Sequence, residues 1–384
     1  MLSRINRDIM QKKIPLLFQR TLGKEMSTIR KNIARMEGYK PGEQPPTTDY
    51  IKLNTNENPY PPSPRVHEAL VAEIERLRIY PDPMATRLRE RIAELHQVPM
   101  ENILAGNGSD ELLTIVMRTF TDRGDLVASP SPTYTLYKTL CEIQGARYLP
   151  VEYRDDYSLN EDLIPSRAKI VFVASPNSPS GTILPEETLA KIAAAISGVL
   201  VIDEAYVDFS RKNCLGLLKT HKNVIILRTL SKSFSLAGLR VGYALADKEI
   251  IANFIKVKDS YNVSRLAIAG GLAALSDLEW VKGNIQKIIS TRRRLVWGLE
   301  ELGFSVYPSE ANFVLARLDA FPADQIYRQL KRKKILVRYY DTPRLKNCLR
   351  ISVGTDREIT QLVIQIAEII DWRSSVTYRS KLKV

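Results

Sequence analysis

Three short apolar runs in the middle of the chain, at residues 169–174, 199–202 and 224–227, narrow the possible folds more than any other feature. Val199-Leu200-Val201-Ile202 and Val224-Ile225-Ile226-Leu227 have the length and β-branched content of buried strands. A helical period separates the first two runs, from Pro185 to Ile196. Further strands are expected at 103–106, 125–129, 147–152 and 241–246. Strands that alternate with helices imply a mostly parallel sheet in an α/β architecture.

Open α/β sheets place ligands outside the carboxyl ends of their strands, so the polar segments that close these runs are where chemistry is expected. The run at 199–202 closes with Asp203-Glu204-Ala205-Tyr206. A carboxylate at the end of a wholly apolar strand is costly unless paired, which makes Asp203 a candidate partner for a cationic ring nitrogen. The run at 169–174 closes with Ser175-Pro176-Asn177-Ser178-Pro179-Ser180-Gly181, whose prolines fix the backbone. The run at 224–227 leads into Arg228-Thr229-Leu230-Ser231-Lys232-Ser233-Phe234 and on to Arg240. Lys232 is the one charge between Arg228 and Arg240. Burial lowers the pKa of a lysine and frees its amine to attack a carbonyl. A lysine Schiff base, with a carboxylate beside the pyridinium nitrogen, is the attachment chemistry of pyridoxal 5'-phosphate. Thr229, Ser231 and Arg240 are donors suited to that cofactor's phosphate, and an arginine can grip it bidentately.

Other segments add candidates. Asn107-Gly108-Ser109-Asp110-Glu111 opens an apolar helix through Leu112, Leu113, Val116 and Phe120. A glycine-bearing turn at a helix N-terminus presents backbone N–H groups to a phosphate, although Asp110 reads equally as a helix cap. Glu111 stands where a dinucleotide fingerprint has its third glycine, and no P-loop Gly-Lys-Ser/Thr occurs. Pro130-Ser131-Pro132-Thr133-Tyr134 is expected to start a helix reaching Gln144, with Tyr134 placed to stack on a flat ring. Residues 39–64 are too rich in Pro and Asn for a regular element. Their Asn54-Thr55-Asn56-Glu57-Asn58 reads either as linker or as the polar wall of a binding site. Amphipathic helices are expected at 66–77 and 85–95, broken by Tyr80-Pro81-Asp82-Pro83.

Beyond Asp247 the pattern changes to long helices at 248–259, 265–276 and 278–302. Short strands follow at 305–307, 312–317, 335–338 and 349–354, with helices at 323–333 and 356–370. The expected organisation is a basic, disordered extension at 1–25 and an arm and helix at 26–78 that join a smaller domain. A large domain at 79–275, a small α+β domain at 276–371 and a basic tail at 372–384 complete it.

The formal charge of +13 sits at the ends. Residues 1–40 hold ten Lys/Arg against three Asp/Glu, and residues 372–384 hold four against none, so the remaining 331 residues carry only +2. Basic tails without a helix-turn-helix, zinc-finger or aromatic RNA-binding pattern argue against a nucleic-acid partner. The head of about 25 residues is too short to fold as a DNA-binding domain. It reads either as a targeting peptide or as sequence ahead of a start at Met26. No apolar run is long enough to span a bilayer. Cys141, Cys214 and Cys348, and His67, His96 and His221, show no metal or disulfide spacing, so no metal is expected.

Taken in this order, the segments resemble the class II aminotransferases of PLP fold type I. Within them the chain is most similar to the histidinol-phosphate aminotransferase family. The similarity runs through Tyr39-Lys40-Pro41-Gly42, Leu53 to Pro59, Gly106-Asn107-Gly108-Ser109-Asp110-Glu111, Thr229 to Arg240, Ser309-Glu310-Ala311-Asn312-Phe313, and Cys348 to Thr355. Pro176-Asn177-Ser178-Pro179-Ser180-Gly181 departs from the family's more usual Pro-Asn-Asn-Pro-Thr-Gly but keeps Asn177.

The resemblance implies a large domain with a mostly parallel sheet flanked by helices, plus a smaller α+β domain built from the arm and the C-terminal part. It implies that Lys232 binds pyridoxal 5'-phosphate and shuttles the substrate proton, and that Asp203 keeps the pyridine nitrogen protonated. Tyr206 and Asn177 would bond the ring hydroxyl. Ser109, Asp110, Thr229, Ser231 and Arg240 would hold the phosphate, and Tyr134 would stack on the ring. Tyr80 would reach the cofactor phosphate of a neighbouring subunit, giving a homodimer with shared sites. Arg350 would clamp the α-carboxylate of glutamate or 2-oxoglutarate, and Arg338 the phosphate of histidinol phosphate, with Asn56 and Glu57 also at the substrate. A cytoplasmic enzyme of histidine biosynthesis is expected. The alternatives are an aromatic-amino-acid aminotransferase or a threonine-phosphate decarboxylase on the same scaffold.

Overall fold

The computed structural model describes residues 28–370. The expected extension at 1–25 and tail at 372–384 lie outside them. The described chain divides into two units between Gly38 and Tyr39. The first contributes one five-residue helix, Lys31–Arg35, that buries none of its residues.

The second unit is built on a seven-stranded sheet. Its strands are β2 (Ile103–Gly106), β3 (Leu126–Ser131), β4 (Arg147–Glu152), β5 (Ile170–Ala174), β6 (Val199–Asp203), β7 (Val224–Thr229) and β8 (Gly242–Ala246), in the order β2-β8-β7-β6-β5-β3-β4. β8 runs antiparallel to both of its neighbours, and the other pairs are parallel. The period of two along each strand divides its side chains between two cores. Val171, Val173, Leu200, Ile202, Val224 and Ile226 belong to one. Ile170, Phe172, Val199, Val201, Ile225 and Leu227 belong to the other. Continuing the count puts Asp203 on the second face and Glu204 on the first.

β3 runs on through Pro130 and Ser131, which pair with Val151 and Glu152 of β4, so the following helix starts at Leu136 rather than at Pro130. Of β3, only Val127 and Ala128 pair with β5, so beyond Ala128 one side of β3 carries no ladder. A proline, with no N–H to donate, is tolerated on such an edge.

A second, antiparallel sheet has the order β12-β13-β10-β9, formed by Ser305–Val306 (β9), Phe313–Arg317 (β10), Arg338–Tyr339 (β12) and Cys348–Ser352 (β13). The helices Leu278–Glu301 and Asp356–Ile369 cover it through Ile288, Leu295, Leu299, Leu362, Val363 and Ile366. Thr355 and Glu358 form a reciprocal cap that starts the last helix.

The single strand expected at 335–338 is two. Ile335–Leu336 (β11) pairs in parallel with Ile51–Lys52 (β1) of the arm, and the chain then crosses at buried Val337 to bring Arg338 beside β13. An unbroken apolar run carries no signal of a change of partner. The arm is thus stitched to the small sheet, while the next helix, Pro64–Glu73, packs Val66 and Leu70 in the core of the large one.

Candidate active site

The sheet's topology gathers the polar turns. The carboxyl ends of β2, β3, β5, β6 and β7 lie along one edge. Because β8 is reversed, its amino end, preceded by Arg240, lies there too. Register sets Ala174, Asp203 and Leu227 side by side across β5, β6 and β7.

Twelve of the fifteen expected residues line one cleft at this edge: Asn56, Ser109, Asp110, Tyr134, Asp203, Tyr206, Thr229, Ser231, Lys232, Arg240, Arg338 and Arg350. Lys232 Nζ donates to Thr55 O at 3.3 Å and lies 5.7 Å from the centre of the Tyr206 ring. Removal from water, and then the nearby Arg350, bring its amine down to about 8. Its backbone is clamped by Asn58, whose Nδ2 donates to Lys232 O and Ser233 O at 3.0 and 3.1 Å.

Asp203 is 5% exposed. Burial raises its carboxyl to about 6, against two donors that favour the ionised form. Those donors are Tyr137 Oη on Oδ2 at 2.9 Å and the Ala205 N–H on Oδ1 at 3.1 Å. Tyr206 Oη accepts from Asn56 Nδ2 at 3.0 Å, and burial raises its phenol. Glu204, on the opposite face, has its own partners: Arg228 Nη2 at 2.7 Å and the Cys214 N–H at 2.6 Å. Each of these adjacent carboxylates is therefore satisfied on its own side of the sheet.

At the far end of the cleft, the helix Ser109–Phe120 begins at Gly108, and Arg240 lies against that turn. Gly108 and Gly242 permit this approach. A Cβ on Gly108 would stand 2.6 Å from the Arg240 guanidinium, and one on Gly242 2.6 Å from Ser109 N. Thr229 Oγ1 donates to Ser231 Oγ at 2.9 Å, and Arg240 Nη2 pairs with Asp110 Oδ2 at 3.1 Å. Tyr134 Oη donates to Asp110 Oδ1 at 3.1 Å, and burial raises its phenol.

The small sheet supplies the other end. Arg338 stands directly opposite Arg350 across β12 and β13. Arg350 is buried, with Nη1 on Ser178 Oγ at 3.0 Å and Nη2 on Asn54 O at 2.8 Å, while its Nε has no partner. Like charges directly opposite one another across a strand pair are destabilising, and an anion in the cleft would offset that.

Three expected residues are placed elsewhere. Asn177 is buried behind the lining, accepting from Thr133 Oγ1 and spending its Nδ2 on Pro132 O at 3.1 Å and Ser180 Oγ at 2.9 Å. Glu57 turns away to Lys52 Nζ at 2.6 Å. Tyr80 is 75% exposed and stacks on Tyr261, outside the cleft. Sequence reasoning gave no role to Tyr39, Thr133, Ser178 and Tyr340, which also line the cleft, or to Tyr137, which bonds Asp203 from behind it. Tyr137 carried a signal, one helical turn after Tyr134. Tyr340 and Ser178 carried none.

The donor set suits pyridoxal 5'-phosphate. A buried carboxylate with lone pairs to spare matches a protonated ring nitrogen, and a low-pKa amine matches an aldehyde. A helix N-terminus with two hydroxyls and a guanidinium matches a phosphate.

This is the architecture of an enzyme that moves amino groups. Residues 48–366 match the model of the family "Aminotransferase class I and II", and the chain belongs to that family. It is 47% identical over 344 residues to the histidinol-phosphate aminotransferase of Rippkaea orientalis, covering 90% of this chain and 99% of that protein. It is 48% identical over 344 residues to the one from Synechocystis, with the same coverage. The solved histidinol-phosphate aminotransferase of Sinorhizobium meliloti, in complex with pyridoxal-5'-phosphate, is 27% identical with a TM-score of 0.84, covering 91% of this chain and 99% of that one.

Proposed function

We propose that this chain is a pyridoxal-phosphate-dependent histidinol-phosphate transaminase, which exchanges an amino group between L-histidinol phosphate and 2-oxoglutarate in histidine biosynthesis. The observation that carries the choice of substrate is the Arg338–Arg350 pair. Both arginines face the cleft that holds Lys232, and together they offer two cationic grips for substrates that carry a carboxylate or a phosphate on an amine-bearing carbon chain.

Bound pyridoxal 5'-phosphate supplies a carbonyl for the amine and a ring that accepts the electron pair left on Cα when its proton departs. Lys232 Nζ, about half unprotonated at pH 8, would hold the cofactor and would carry the proton away from Cα. Asp203 would hold a proton on the ring nitrogen. Ser109, Thr229, Ser231, Arg240 and the N–H groups at Asp110 would anchor the phosphate, and Tyr134 would cover the ring. Tyr206 would offer its hydroxyl to the ring oxygen. Asn177 would join it only by releasing one of its internal bonds. Arg350 binds the glutamate α-carboxylate, Arg338 the histidinol phosphate group, and Asn56 frames the substrate through Tyr206.

We also propose a homodimer in which Tyr80 reaches the partner's phosphate. Exposed Val71, Ile74, Leu77 and Ile79 beside it support such an interface. The buried free thiols of Cys141, Cys214 and Cys348 support a cytoplasmic enzyme. Among the described residues no helix is long and apolar enough to cross a membrane.

The test is turnover of the cofactor-loaded protein with histidinol phosphate, phenylalanine and tyrosine against 2-oxoglutarate. A kcat/KM for histidinol phosphate at least about a hundredfold above the aromatics is expected, the scale of one lost charge-assisted contact. Comparable rates would move the assignment to an aromatic aminotransferase, and release of carbon dioxide from threonine phosphate would move it to a decarboxylase. Arg338→Gln should cost about a hundredfold in kcat/KM for histidinol phosphate and far less for glutamate. Equal losses on both substrates would remove Arg338 from phosphate recognition.

A further inference from the structure

Tyr137 is fully buried, and nothing in the mechanism above uses it. Its ring stacks on Phe172, with centroids 4.8 Å apart and planes 11° from parallel, and meets Tyr134 edge-on at 5.6 Å. A phenol buried this deeply needs a partner for its hydroxyl. Its partner is Asp203 Oδ2, at 2.9 Å.

We propose that Tyr137 is a positioning residue for the transamination: its hydroxyl fixes the Asp203 carboxylate and holds it ionised for the cofactor's ring nitrogen. This rests on Asp203 being the partner of that nitrogen. An ionised carboxylate accepts about four hydrogen bonds, two on each oxygen. Tyr137 and the Ala205 N–H take one position on each oxygen, so each keeps a lone pair for the cofactor. The surroundings work against ionisation. Asp203 is buried, Asp110 faces it from the helix Ser109–Phe120, and Glu204 follows it in the chain. Lys232 and Tyr206 line the same cleft. The Tyr137 hydroxyl is the one side-chain donor on the carboxylate among the described residues, and it is delivered by a ring that packing already immobilises.

Apo-protein reconstituted with pyridoxal 5'-phosphate across pH 5 to 8, followed by absorbance, tests the proposal. Affinity should fall on the acid side as Asp203 takes up a proton. Tyr137→Phe keeps the stacked ring and removes the donor, so the midpoint of that fall should rise by about one pH unit, the scale of one hydrogen bond to a charged group. At pH 5, below both midpoints, the variant should then bind about tenfold more weakly. Site-specific 3-fluorotyrosine, a stronger donor of nearly the same shape, should shift the midpoint the other way, and it guards against a folding defect in the phenylalanine variant. Protonation of Lys232 lowers affinity from about pH 8 downward in every variant, and Asp203→Asn should abolish the further fall centred near pH 6. A further fall near pH 6 retained in Asp203→Asn would overturn the reading of Asp203 itself. A fall lost there, with an unmoved midpoint in a folded Tyr137→Phe, would overturn only the role of Tyr137.

Discussion

Alanine in place of Lys232 leaves a folded protein that no longer transaminates. The expected loss in kcat is at least about 10⁴-fold, because covalent attachment and the carriage of the Cα proton vanish together. Stability should barely change. The amine makes one long bond, to Thr55 O at 3.3 Å, and removing an amine held well below its usual pKa relieves a desolvation cost. Lys232→Arg should be equally inactive, since a guanidinium stays protonated and is no nucleophile. A small primary amine added to the alanine variant should restore part of the proton transfer, which separates lost chemistry from a damaged fold. Single-turnover absorbance with saturating histidinol phosphate reads all three results. Turnover within about tenfold of the parent would remove Lys232 from the centre of the mechanism.

Residues 224–232 show what was legible. A short, fully apolar β-branched run reads as a buried strand, and an isolated lysine in the turn after it then lies near the sheet edge where ligands bind. The same reasoning located Asp203, since a period of two and a buried strand leave its carboxylate no solvent. The direction of β8 was not legible, because an apolar pentapeptide reads alike in either sense, yet that reversal is what delivers Arg240 to the phosphate end. The β1–β11 pair was invisible for a different reason: two residues on each side have no periodicity, and their partners lie far apart in sequence. Side-chain direction was the other blind spot. Pro176 and Ser178 line the cleft, whereas Asn177 between them bonds inward to Pro132 and Ser180. A motif gives the residue but not which way the turn aims it. Glu57 failed in the same way, because Lys52 was close enough to capture it.

Asparagine at position 203 should separate stability from activity. At neutral pH the native carboxylate is ionised although buried, and its pKa of about 6 lies above the ordinary 3.8. A raised carboxyl binds its proton more tightly in the folded state, so the apo-protein should lose stability as pH rises from about 4 to about 6, by on the order of 2–3 kcal/mol. Asparagine has no proton to lose and should lack that slope. Above pH 6 the variant should be at least as stable as the parent, less whatever the Ala205 N–H forfeits when one acceptor becomes a donor. Turnover should move in the opposite direction, down by about three orders of magnitude. A neutral amide cannot hold the proton on the ring nitrogen, and the electrons left on Cα then have no protonated ring to enter. Chemical unfolding at pH 4, 5, 6 and 7 measures the first effect, and single-turnover kinetics at pH 7.5 the second. A variant that is both less stable and still active would mean that Asp203 supports the strand end rather than the chemistry. One that is stable and inactive would mean that the strain of a buried charge at the end of β6 is retained for catalysis.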